Sequence, residues 1–92
     1  MIFNKNNLPT HIIRHSPTGM NWGYGGSGPA DLAFSLLVAV IGRDEAEKYY
    51  QKFKWDFVAA WTDDWEISDT EIKNWYAIIA KNKLYARRNQ KN

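Results

Sequence analysis

Between Pro29 and Ile41 the chain reads P-A-D-L-A-F-S-L-L-V-A-V-I, apolar almost all the way round a helix and interrupted only by Asp31 and Ser35. A helix of that composition is stable only when most of its circumference is covered. In a chain of 92 residues it must lie at the centre, with everything else wrapped around it. The sequence marks both of its ends. Gly28 and Pro29 supply a cap and a first helical residue whose missing N–H costs nothing, Asp31 faces the positive end of the dipole, and Gly42 stops the helix.

Two further helices follow from apolar spacing. Asp44 and Glu47 have the separation of a capping box, and Ala46, Tyr49, Tyr50, Phe53, Phe57 and Ala60 recur at helical intervals, predicting a helix over about 45–60. Thr62-Asp63-Asp64 breaks it, Trp65 to Ile67 reads as a short extended piece, and Ser68 with Glu71 forms a second capping box. Ile72, Trp75, Tyr76 and Ile79 then mark a third helix. Upstream, His11–His15 and Met20–Tyr24 flank Ser16-Pro17-Thr18-Gly19, whose proline and glycine positions suit a type I turn, so a β-hairpin is expected there. The expected architecture is α+β: one domain over 1–92, an N-terminal β-hairpin packed on three α-helices with the first central. Residues 1–9 read as a loose arm and 86–92 as a basic, frayed tail.

The apolar fraction of 45%, with five Trp, five Tyr and four Phe, is enough for a core in so short a chain. There is no cysteine, which excludes disulfides and thiolate metal sites and points to a reducing cytoplasm. The run Leu32–Ile41 is too short to span a bilayer and lies too far along to be a leader, so neither a membrane partner nor a signal peptide is expected. The net charge of +2 is unevenly distributed. Five bases and no acid lie in 81–92, Arg87 and Arg88 among them, leaving seven bases against ten acids, a net of −3, elsewhere. Such a tail suits either a helix C-terminus or phosphates.

Gly23-Tyr24-Gly25-Gly26-Ser27-Gly28-Pro29 places four glycines immediately before the central helix. Glycine permits close approach of the backbone, and a helix N-terminus offers unpaired N–H groups, so Gly25, Gly26, Ser27 and Gly28 form a candidate anion cradle. The alternative is a tight strand-to-helix turn and nothing more. No G-K-[ST] follows, and no second parallel strand can be read, so the loop is neither a P-loop nor a dinucleotide fingerprint. Arg14 is a candidate phosphate partner, and Trp22, Tyr24 and Trp55 are candidates for stacking on a base. Lys48, Lys52 and Lys54 beside Trp55 suggest a basic surface for a partner or nucleic acid, although no DNA- or RNA-reading motif accompanies them. On a strand His11 and His15 would lie ~13 Å apart, too far for one metal ion. Ser27 has no assured base and Asp63-Asp64 reads as a turn, so neither catalytic residues nor a cofactor is expected.

The string W-G-Y-G-G-S-G-P-A-D-L-A, with F-K-W-D-F-V-A at 53–59, resembles a small uncharacterised family found in bacteria, plasmids and phages, over about Arg14 to Trp75. The resemblance brings no established activity and implies only a mobile-element setting, where small proteins often block host immunity. By that analogy the leading expectation is a non-enzymatic anti-defence protein in the host cytoplasm that sequesters a phosphate-bearing nucleotide. The alternatives are a protein-interaction module that inhibits a host defence protein and a nonspecific nucleic-acid binder. A homodimer is also open, since a lone hairpin gains from a neighbouring strand.

Overall fold

The structure is a computed structural model that describes residues 1–90, with side chains described through Asn82. Helix α1, Ser27–Ile41, is the centre: every residue from Gly28 to Leu37 is buried. It starts two residues earlier than expected, on Gly26. At its other end Gly42 serves two helices at once. Its N–H closes α1 on the Val38 carbonyl at 3.1 Å, and its own carbonyl receives Ala46 N–H at 3.0 Å to open α2, Arg43–Asp56. The joint requires φ of +89°, which glycine adopts without a β-carbon penalty. Asp44 and Glu47 make no side-chain cap there.

Helix α2 lies antiparallel on α1 through Ala46, Tyr50 and Phe53. It ends at Asp56, short of the expected Ala60, and Val58–Ala60 continue as a tighter 3₁₀ turn that drives Val58 into the core. The third helix, α3, spans Asp69–Gln90. Its start is the capping box read from the sequence: Glu71 N–H donates to Ser68 Oγ at 3.0 Å while Ser68 N–H donates to Glu71 Oε1 at 3.2 Å. Ile72 is fully buried, Trp75 stacks edge-on against Phe53 with centroids 5.0 Å apart, and the Tyr76 hydroxyl donates to Glu45 of α2. The side chains of Arg87, Arg88 and the rest of the expected basic tail lie outside the described residues.

The α+β class holds, with one antiparallel strand pair on three helices, but the strands are drawn from other residues. Strand β1, Ile2–Asn4, pairs with β2, Glu66–Ser68, in the register Ile2↔Ser68, Phe3↔Ile67, Asn4↔Glu66. Period-two alternation then turns Phe3 and Ile67 inward, where they are 4% and 1% exposed. The supposed loose arm therefore contributes a strand and a core phenylalanine.

Residues 11–24 form no ladder. The turn at Ser16–Gly19 is made, with Gly19 N–H on the Ser16 carbonyl at 3.3 Å, yet the flanking segments bond elsewhere instead of to each other: the first to α1, and Gly23 of the second to the Val58 carbonyl at 3.0 Å. Ser35 Oγ accepts Ile12 N–H at 2.9 Å, and the Asp31 carboxylate accepts the N–H groups of Arg14, His15 and Ser16 at 2.8–3.3 Å. Two polar side chains one turn apart on an apolar helix thus take the place of a partner strand. Asp31, expected at the dipole, is fully buried and belongs to this network.

A hollow at the head of the central helix

Because α1 begins on Gly26, its first closed main-chain bond runs from Ala30 N–H to the Gly26 carbonyl, at 3.1 Å. Among the described residues the amide hydrogens of Gly25, Gly26 and Ser27 have no acceptor, the last two as helix geometry dictates at an N-terminus. Among the described residues positive φ occurs only at Gly19, Gly23 and Gly42, so at Gly25, Gly26 and Gly28 the constraint is the space beside the backbone. A β-carbon on Gly25 would overlap the Trp55 ring, one on Gly26 the Tyr24 ring, and one on Gly28 would lie 2.8 Å from Asn21 Cβ. Gly28 is buried, so it shapes the loop from behind.

In front of this turn is an open hollow of about 240 Å³, lined by His15, Gly25, Gly26, Ser27, Gln51 and Lys54 over Ala30. No acidic side chain lines it. Lys54 reaches it from α2, only 6% exposed, with Nζ donating to the Gly25 carbonyl at 3.0 Å and lying 4.4 Å from the Trp55 ring centroid. Among the described residues no carboxylate comes within ion-pair distance of that ammonium. Lys52, by contrast, pairs with Asp56 at 3.4 Å and Lys48 with Glu45 at 2.8 Å. Residues 52 and 54 diverge by about 200° around a helix, so the expected three-lysine face does not form.

His15 also lines the hollow and is held at several points. Its main-chain N–H is 2.8 Å from Asp31 Oδ1, its Nε2 is 2.8 Å from the Tyr50 hydroxyl, and its ring stacks on Tyr50 with centroids 5.9 Å apart and planes 24° apart. Behind it, burial pushes the Asp31 carboxyl upward, but the hydrogen bond from His11 Nε2 at 2.9 Å and the three main-chain N–H groups outweigh it, holding Asp31 below the usual aspartate value.

Of the residues singled out in the sequence, Tyr24, Gly25, Gly26, Ser27, Gly28, Lys54 and Trp55 come together. Tyr24 is 49% exposed and Trp55 62%. Arg14 does not join them: its Nη2 pairs with Glu47 at 2.7 Å and its guanidinium lies over Phe34, 5.1 Å from the centroid. Trp22 is committed elsewhere too, its indole N–H on Asp63 at 3.0 Å and its ring edge-on to Trp65. His15 and Gln51 line the hollow and were missed, the first because a strand assignment hid its link to Asp31. An aspartate inside an otherwise apolar helix was the available signal.

These features define a small α+β domain whose central helix opens, at its N-terminus, onto a hollow walled by hydrogen-bond donors. The chain belongs to DUF6166, a family of unknown function whose model matches residues 2–78 and so takes in β1 as well as the glycine loop. No curated protein and no solved structure matches it. Among the described residues no helix is long and apolar enough to cross a membrane, and no three His, Cys, Asp or Glu side chains cluster as metal ligands.

Proposed function

We propose that this protein binds a phosphate-bearing nucleotide in the hollow at the head of α1 and acts by sequestering it, without chemistry. The observation that carries this reading is Lys54, a buried ammonium with a carbonyl and, among the described residues, no carboxylate beside it, at the wall of a space whose neighbouring main-chain N–H groups are also unmatched there. Burying a cation without a counter-charge is costly, and an incoming anion offsets that cost. Gly25, Gly26 and Ser27 contribute N–H groups and the helix dipole, while the exposed faces of Tyr24 and Trp55 beside the loop offer stacking surface for a base. His15 Nε2 is engaged by Tyr50 rather than by Ser27, which favours binding over nucleophilic catalysis. In the mobile-element setting this is an anti-defence role in the host cytoplasm.

Isothermal titration against linear and cyclic nucleotides tests it. Micromolar or tighter binding that Lys54→Met and Gly26→Asp abolish is expected, and silence across the panel overturns the reading. Tyr24 and Trp55, both large and exposed, favour a second reading as contacts for a host protein. Capture of one stoichiometric protein partner, lost in Trp55→Ala, with no nucleotide bound, would select it.

A further inference from the structure

Resting on that anion-binding reading, we propose that His15 is a second ionic contact for the ligand and that it makes binding tighten as pH falls from about 8 to about 6. His15 lines the same hollow as Lys54 and Ser27, yet unlike an ordinary surface histidine it is fixed from both main chain and ring. A side chain already ordered loses little further entropy on contacting a ligand. The protonated ring donates from both nitrogens, so one can keep Tyr50 while the other serves an anion.

The charged and titratable groups around it are accounted for on each element. From α1, Asp31 holds the His15 main chain and is already occupied by His11 and the amides of Arg14 and Ser16. From α2, Tyr50 contacts the ring, Lys54 lines the same hollow, and Glu47 is paired with Arg14, the residue preceding His15. No carboxylate lining the hollow competes with a bound anion for the imidazolium. Proton uptake at His15 therefore adds a positive charge whose natural partner is the ligand.

Sulfate is the probe, because it stays doubly charged across this pH range and any pH dependence then belongs to the protein. Its affinity is read from amide NMR shifts of Gly25 to Ser27. The wild-type chain should bind about fivefold or more tightly at about pH 6 than at about pH 8. His15→Gln should lose that difference, and His15→Lys, whose charge is fixed, should bind tightly at both. Lys54→Met should weaken binding at both pH values and keep the ratio. Wild-type sulfate binding with no pH dependence, or an undiminished ratio in His15→Gln, overturns the role of His15 alone. No sulfate binding by the wild type at either pH overturns the anion reading with it.

Discussion

The main-chain N–H of His15 donates to the buried carboxylate of Asp31 at 2.8 Å, so a residue at the wall of the hollow is positioned by a side chain from the middle of the central helix. That bond joins the fold to the site. The same carboxylate gathers His11, Arg14 and Ser16, and it turns a segment with strand-like sequence into a strap across α1.

Replacing Asp31 with alanine strands three main-chain N–H groups and the His11 ring. At roughly 1 to 3 kcal/mol for each buried donor left without an acceptor, and with some donors regaining water, a loss of about 3 kcal/mol or more is expected in urea denaturation. Asp31→Asn, which keeps one acceptor oxygen, should lose less. A variant as stable as wild type would show that the strap is held by something else.

Acid should act through the same group. The folded-state value of Asp31 lies below the ordinary aspartate value, so its stabilising contribution is fully present above the unfolded value and is lost as pH falls through the lower, folded one. Stability measured between about pH 5 and about pH 2 should therefore decline, with a shallower decline in Asp31→Asn.

Tyr76 gives the opposite sign at high pH. Its hydrogen bond to Glu45, aided by burial, raises the phenol from 10.0 to about 12. The stability it contributes is present below pH 10 and lost as pH climbs toward 12. Ultraviolet titration should show one late-ionising tyrosine that Tyr76→Phe removes.

The glycines should separate by what stands beside them. The nearest atoms to a Gly25→Ala methyl are the far end of Trp55, an exposed ring able to swing aside, so stability should barely change while Trp55 fluorescence shifts. Gly28→Ala meets Asn21 Cβ at 2.8 Å and Asn21 N at 3.3 Å, and should cost about 1 to 3 kcal/mol by thermal melting. Equal effects at the two positions would contradict the packing described.

Lys54→Met tests whether the buried ammonium is kept for binding. An apolar side chain of similar length removes an uncompensated charge, so the melting temperature should hold or rise. Sulfate, which should stabilise the wild-type chain by mass action, should stabilise the variant less at the same concentration. A large loss of stability in Lys54→Met would instead mark the Gly25 carbonyl contact as structural.

What the linear order of residues settled here is what short-range physics controls. The apolar run 29–41 made α1 central, Ser68 with Glu71 opened α3, and the glycines before Pro29 placed the loop at a helix start, because helix periodicity, capping and turn chemistry act within a few residues. Tertiary structure decided the rest. Strand pairing between Phe3 and Ile67 joins residues far apart in the chain, and nothing local announces it. The segment 11–15 carried a legible strand pattern, but Asp31 and Ser35 offered its amides acceptors on a helix already in contact, and a buried carboxylate holds an N–H more strongly than a neighbouring carbonyl does. Arg14, Trp22 and Lys54 were equally ambiguous: which cation sits buried at the hollow and which is neutralised elsewhere depends on the angle at which α2 crosses α1, and that angle is set by the packing of side chains from both helices.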